Sequence, residues 1–383
     1  MEIDDGGGII HGVPLGFRST SSTLLKDPVK HVRSLEESVS RLDASDPKAV
    51  EVALEALGEA LCAEDEGRRE QAARLLLEAL RRPGARARGA ILHLLQTSWW
   101  PPQEQLAEGA LDAVFDAVAS LDADAMAVDD AALLVANLYR AVPRLSLGTL
   151  ASALRHPRAS VRRAAAGVVG RVGKPAVDLL PEVLTVLDDV EPVAGAALES
   201  LGALAPLAPG LAMPALLGQV EKTEGVRHYL ALMSLRGLLE EQRREGRPPP
   251  ELNLLEPTLL RSAEDPQAPV RLEAVSLLGL ARLSSLTTVA TLRRHLQDES
   301  PAVASCAAVA LLRVGASPQE ALTLLSALLT ATDEPEKVGV ALSALETVER
   351  PTLRRARSLL ETVARDGTGY ARETARDLLQ QLA

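Results

Sequence analysis

Ala-x-x-x-Leu, once with Val in the last place, recurs along this chain of 383 residues at Ala165/Val169, Ala197/Leu201, Ala231/Leu235, Ala274/Leu278, Ala307/Leu311, Ala341/Leu345 and Ala375/Leu379. The successive spacings are 32, 34, 43, 33, 34 and 34 residues. A unit of that size with two helix-length apolar patterns cannot bury its apolar faces alone and has to stack on its neighbours. The pattern therefore predicts an all-α solenoid rather than a single-core enzyme domain.

With each repeat Ala as position zero, the surrounding helix is apolar at −4, +3, +4 and +7, positions that fall together on a 3.6-residue turn. Upstream lies a second apolar pattern, such as Leu179, Leu180, Val183, Leu184 and Leu187, joined by a short polar stretch, so each unit reads as a helix hairpin. Prolines at 157, 192, 266, 301 and 335 stand where one helix stops and the second begins, where a missing N–H costs least. Ser317-Pro318-Gln319-Glu320 predicts a capping box. Ala at position zero suits a close helix crossing.

Second helices that open with Val161-Arg162, Val226-Arg227, Val270-Arg271 and Ala371-Arg372, behind His156-Pro157 or Asp265-Pro266, resemble the HEAT-repeat (armadillo-like) family. The resemblance is strongest over 149–383 and extends more loosely to Ala53/Leu57, Ala90/Leu94 and the stretch near Ala132. It implies a right-handed α-solenoid of about ten hairpins over 29–383, with the second helices lining the concave face. It also implies a ladder of joint acids and helix arginines, broken here where Ala194 and Ala304 replace the Arg. The 43-residue interval holds an insertion, Gln242 to Glu251, read as a surface loop. Residues 1–28 read as a flexible N-terminal tail with an unusual apolar insert from Ile9 and Ile10 to Phe17.

Composition narrows the chemistry. The hydrophobic fraction is 47% but aromatics are 2%, so the core is built from Leu, Ala and Val. The two cysteines, Cys62 and Cys306, are too far apart to pair in an extended stack, and free buried thiols suit a reducing cytoplasm. No secretory start and no membrane-length apolar run is evident, and Arg outnumbers Lys 35 to 6, a bacterial habit of composition. The net charge of −11 is uneven: residues 144–174 carry seven bases and no acid, and 68–98 carry seven arginines against Glu70 and Glu78. Acidic and basic segments then attract laterally or, on a different reading, the arginines meet phosphates.

Six isolated histidines without a His-Glu pair argue against the HEAT-type iron hydroxylases, and there is no zinc spacing, phosphate loop or nucleophile elbow. No catalytic residue, metal or cofactor is expected. The face at −2, +2 and +6 of the second helices is the candidate partner surface. In three successive repeats it reads Tyr229, Met233, Gly237, then Leu272, Ser276, Leu280, then Ser305, Val309, Arg313, with Arg163 and Arg171 as a basic end. An apolar floor with charged ends suits an amphipathic helix or extended peptide. Trp99 and Trp100 either plug a joint or anchor a partner, and with Ile9, Ile10 and Phe17 they are the secondary candidates. The expected function is thus a non-catalytic cytoplasmic adaptor or scaffold holding a protein or peptide, with no membrane and an open oligomeric state. A nucleic-acid binder resembling the alkylpurine DNA glycosylases and a protein resembling the HEAT-type bilin lyases are the alternatives.

Overall fold

The computed structural model describes residues 34–82, 86–99, 104–121, 125–246, 255–330, 335–367 and 369–382. The first 33 residues, and with them the expected tail and its apolar insert, lie outside the described residues. Among the described residues there is no β-strand.

Among the described residues ten helix hairpins follow one another. They pair α1 (Leu35–Arg41) with α2 (Pro47–Leu61), α3 (Glu66–Arg81) with α4 (Arg88–Ser98), and α5 (Glu104–Ala119) with α6 (Ala125–Ala141). Next come α7 (Gly148–Leu154) with α8 (Ala159–Val172), α9 (Leu180–Thr185) with α10 (Glu191–Leu204), and α11 (Pro209–Lys222) with α12 (Gly225–Arg244). The stack continues with α13 (Glu256–Ser262) and α14 (Ala268–Leu280), α15 (Leu286–His295) and α16 (Pro301–Val314), and α17 (Pro318–Leu329) and α18 (Pro335–Glu346). A short α19 (Arg350–Leu353) leads into α20 (Arg357–Asp366) and α21 (Gly369–Gln380). Each second helix packs on the second helix of the next hairpin, from α2 on α4 through to α18 on α21. The result is an α-solenoid.

All seven position-zero alanines have no exposed surface, and Val169, Leu201, Leu235, Leu278, Leu311 and Leu345 at +4 are equally buried. The looser register is corrected at Ala90/Leu94: Ala90 is exposed, and α4 buries Ile91, Leu92 and Leu95 instead. The closest approaches in the stack lie at glycines five residues after position zero. A Cβ on Gly170 would lie 2.8 Å from the Ser200 Cα, and one on Gly279 would lie 2.7 Å from Cα and Cβ of Ala310. Their partners, Ser200 and Ala310, are the small +3 residues of the following repeat, so a small-on-small contact lets neighbouring second helices touch backbone to backbone.

Charge completes the joints. Arg162 donates through Nε and Nη2 to both carboxylate oxygens of Asp189 at 2.6 and 2.7 Å, and Arg271 does the same to Asp298 at 2.9 and 2.9 Å. Each arginine also donates to the carbonyls of its own joint, His156 and Pro157 for Arg162, Asp265 and Pro266 for Arg271. Arg69 holds the Ala63 and Glu64 carbonyls in the same way. The fork of a guanidinium suits this double task, closing a helix-start joint while gripping the next repeat.

Two local expectations are corrected. Ser317 sits in the left-handed region (φ 46) and makes no side-chain cap; its hydroxyl instead accepts from Arg293, which also pairs with Glu320 at 3.3 Å. The pull of that inter-repeat contact outweighs the capping box. The insertion is helical at its start, because α12 runs on to Arg244, and residues 247–254 lie outside the described residues.

Candidate functional site on the inner helix face

Helices α12, α14, α16 and α18 stand side by side, and a cavity of about 540 Å³ lies across them. Its floor is apolar, with Leu272 of α14, Ala302 and Val309 of α16, and Val340 and Ala344 of α18. Its walls are polar. Arg236 of α12 donates to Glu273 of α14 at 2.5 Å and to Glu240 at 3.1 Å, while Ser276, Ser343 and Thr347 supply hydroxyls. Glu273 is 4% exposed, so this carboxylate is stable there only because Arg236 meets it. Burial opposes the charge on Arg236, but the two glutamates outweigh it and raise its pKa.

Past the cavity, beside its lining residues Arg313 and Thr347, α12 outruns its neighbours. Its 20 residues compare with 13, 14 and 12 in α14, α16 and α18. At 1.5 Å per residue the excess is roughly 10 Å, and it carries Arg243 to Glu349, 106 positions along the chain. Arg243 meets Glu349 at 3.0 Å, Arg313 of α16 meets it at 3.3 Å, and Arg282 after α14 meets it at 3.5 Å. A bond from one hairpin to the third beyond it spans the chord of a curve, so the second helices form its inside. Burial raises the energy of the Glu349 carboxylate, but its backbone and Thr352 hydrogen bonds and the arginines win, and its pKa is lowered.

Of the residues expected on this face, Leu272, Ser276, Val309 and Arg313 come together around the cavity. The expectation of an exposed floor is corrected for several of them. Val309 is 1% exposed and Leu280 and Arg313 are 7%, while Ser305 is wholly buried with an unpartnered hydroxyl. The inner line on α16 passes through Cys306 rather than Ser305, one residue later, and this rotates Ser305 into the stack. Tyr229 and Met233 are half-buried and do not line the cavity; α12 contributes Arg236 and Glu240 instead. Arg163 and Arg171 lie two second helices away on α8, where Arg163 is paired with Asp129 at 2.8 Å and Arg171 donates to the Gly167 carbonyl.

The sequence held a signal for part of what was missed. The offsets −2, +2 and +6 taken from Ala341 give Gly339, Ser343 and Thr347, and all three line the cavity. Arg236, Glu240 and Glu273 had no such signal, since their positions depend on how α12 tilts across α14. Trp99 caps α4 and is 7% exposed, so it fills a joint. Trp100, Ile9, Ile10 and Phe17 lie outside the described residues. Cys62 is exposed, which corrects the expectation of two buried thiols; burial pushes the Cys306 thiol up to about 11.

Part of the basic strips is held in ion pairs: Arg162 with Asp189 and Arg163 with Asp129 between repeats, and the exposed Arg155 with Glu182 and Arg74 with Glu70 at the surface. Among the described residues no three His, Cys, Asp or Glu side chains are gathered in a group able to hold a metal. His228 Nε2 stands 2.7 Å from Ser262 Oγ, but Ser262 also donates to the Thr258 carbonyl, and both side chains are buried in a joint. That chain of bonds ties α12 to α13.

Residues 256–346, which include most of this cavity, match the family model for HEAT repeats. These residues form HEAT repeats within an α-solenoid that runs through the described residues. No curated protein matches it. Among solved structures, the solenoid is similar to the karyopherin Kap121p bound to the extreme C-terminus of the protein phosphatase Cdc14p, with a TM-score of 0.55 and 14% identity over 93% of this chain and 41% of that one. It is also similar to importin beta, with a TM-score of 0.54 and 14% identity over 90% of this chain and 51% of that one. The solenoid therefore spans about half or less of the karyopherin chains it matches, and at this identity the likeness is one of fold. No described helix of the solenoid is long and apolar enough to cross a membrane.

Proposed function

We propose that this solenoid is a non-catalytic adaptor that holds a partner protein through an extended or helical segment, seated in the cavity across α12, α14, α16 and α18. The observation that carries the proposal is the cavity itself: an apolar floor, polar walls and a volume of about 540 Å³ on the inside of the curve. That volume lies in the range of ligand-binding clefts and is too small for a folded domain, so a short segment is what it admits. Kap121p structures of the same fold are described as bound to Ste12p, Pho4p and the SUMO protease Ulp1p, which accords with a protein partner here. The consumption of Arg155, Arg162 and Arg163 in ion pairs speaks against the nucleic-acid alternative, because phosphate binding would have to break them. Free thiols at Cys62 and Cys306 accord with a cytoplasmic setting.

A photo-crosslinking residue at Ser276 or Ser343, on the cavity wall, should capture a partner that one at the exposed Thr323 of α17 does not. Val340→Glu should abolish that capture with helix content retained. Equal capture from Thr323, or capture unaffected by Val340→Glu, would place the working surface elsewhere.

A further inference from the structure

Beside the cavity, next to its lining residues Arg313 and Thr347, three guanidinium groups face one carboxylate. Arg243, Arg282 and Arg313 all contact Glu349, which leaves two positive charges in excess. The neighbouring acids make up only half of the difference: Glu240 shares Arg236 with Glu273 and so leaves one negative charge over, while Glu241 is held by Arg244 at 3.1 Å, and one positive charge stays in excess. Thr347 offers its carbonyl to Arg313 at 2.8 Å and to Arg243 at 3.5 Å, which supplies hydrogen bonds but no counter-charge. Excess charge in a partly desolvated place is costly unless an anion joins it.

Two details mark the same spot. The Arg243 Nε is buried without an acceptor. Burial also pushes the Arg243 guanidinium below its ordinary range, against the pull of Glu349 and with Arg313 adding repulsion. Arg282 has a φ of 52, the left-handed region, at the turn after α14 where glycine is the usual occupant. That ending is a Schellman turn, in which the Leu283 N–H donates to the Leu278 carbonyl and the Arg282 N–H to the Gly279 carbonyl, both at 3.1 Å, and keeping an arginine there carries its side chain to Glu349.

We propose that the Arg243–Arg282–Arg313 cluster is a carboxylate-recognition site, and that the segment held in the cavity carries an Asp, a Glu or a chain-terminal carboxylate beside its apolar side chains. This rests on the peptide-holding function proposed above and adds the chemistry of the partner. Arg313 belongs both to the cluster and to the cavity lining, so one segment can place an apolar side chain over Val309 and a carboxylate at the arginines. The planar fork of each guanidinium offers paired donors to a carboxylate, and five N–H groups per arginine exceed what Glu349 and Thr347 accept. An incoming carboxylate shares the donors with Glu349 and neutralises the excess.

The test is calorimetric titration of the full chain with citrate, a compact polycarboxylate, and separately with inorganic phosphate at low salt. Citrate should bind, more weakly as salt rises. Arg282→Gln should weaken it about tenfold, as expected for loss of a charge on the rim of a polar site, and Arg243→Gln with Arg282→Gln should abolish it. Arg282 is 59% exposed, so its replacement leaves folding intact, and circular dichroism checks this. Arg74→Gln, far along the stack, should leave citrate binding unchanged. Absence of citrate binding, equal binding by the Arg282 variant, or phosphate binding tighter than citrate would each overturn the assignment. Citrate binding that depends on Arg282 without crosslinking at Ser343 would sink the peptide-holding function alone, and crosslinking without citrate binding would sink only the carboxylate site.

Discussion

Gly279→Ala gives the sharpest test of how the stack is held. The new Cβ would lie 2.7 Å from Cα and Cβ of Ala310, where carbon atoms normally rest about 3.5–4.0 Å apart. Relief requires α14 and α16 to part by roughly 1 Å, an overpacking cost of about 1–3 kcal/mol. Gly279 is the penultimate residue of α14, so its removal returns less helix propensity than the ~1 kcal/mol of a mid-helix glycine. The net is a loss of up to about 3 kcal/mol, with a middle value of roughly 1.5. Gly237→Ala on α12 is the control, since nothing lies within 4 Å of its Cβ, and it should gain about 0.5–1 kcal/mol. The two substitutions are chemically identical and should differ in sign. Because repeat arrays need not unfold in one step, hydrogen exchange of the α14 and α16 amides should accompany urea melts. Exchange should quicken in those helices for Gly279→Ala. Equal stabilisation by both substitutions would refute the backbone-to-backbone contact.

Arg271→Ala should cost about 3 kcal/mol, because buried Asp298 loses its guanidinium and keeps only His295 and the Ser300 N–H as partners, and thermal denaturation beside Asp298→Asn checks it. Asp189 is held below its usual pKa by hydrogen bonding from Arg162 despite burial; Asp298 and Glu349 are lowered although burial is the largest influence on each. A depressed carboxylate contributes stability that is present above its unfolded pKa, near 3.8 for Asp and 4.5 for Glu, and that is lost as pH falls through the folded value. Acid melts should therefore show destabilisation beginning below about pH 4.5 and reduced in an Arg162→Gln, Asp189→Asn double variant. Ser305→Ala should hold or raise the melting temperature by removing a buried hydroxyl without a partner, whereas Ser305→Phe should destabilise as a core substitution does.

The solenoid itself was legible from periodicity. The seven position-zero alanines and six of the seven +4 residues, all but the half-buried Leu379, are wholly buried where the 3.6-residue stripe placed them, because burial of a helix stripe in a hairpin is a local matter of spacing. Four of the inner-face residues, Leu272, Ser276, Val309 and Arg313, were found by the same arithmetic. A helix phase read from sequence carries an error of about one residue, or roughly 100° of rotation. That was enough to exchange Ser305 for Cys306 and to misplace Tyr229 and Met233.

What the sequence alone determined was the repeat, the hairpins, the apolar core and the existence of an inner face with an apolar centre. Each follows from which residues recur three, four and seven apart. The tertiary structure decided how that face is bridged. The meeting of Arg243 with Glu349, 106 positions away, depends on the curvature accumulated from hairpin to hairpin, while the pairing of Arg236 with Glu273 and the contact of Gly279 with Ala310 depend on how one second helix sets against the next. Curvature arises from small rotations between neighbouring repeats, set by side-chain volumes on both sides of each contact, and no single repeat carries it.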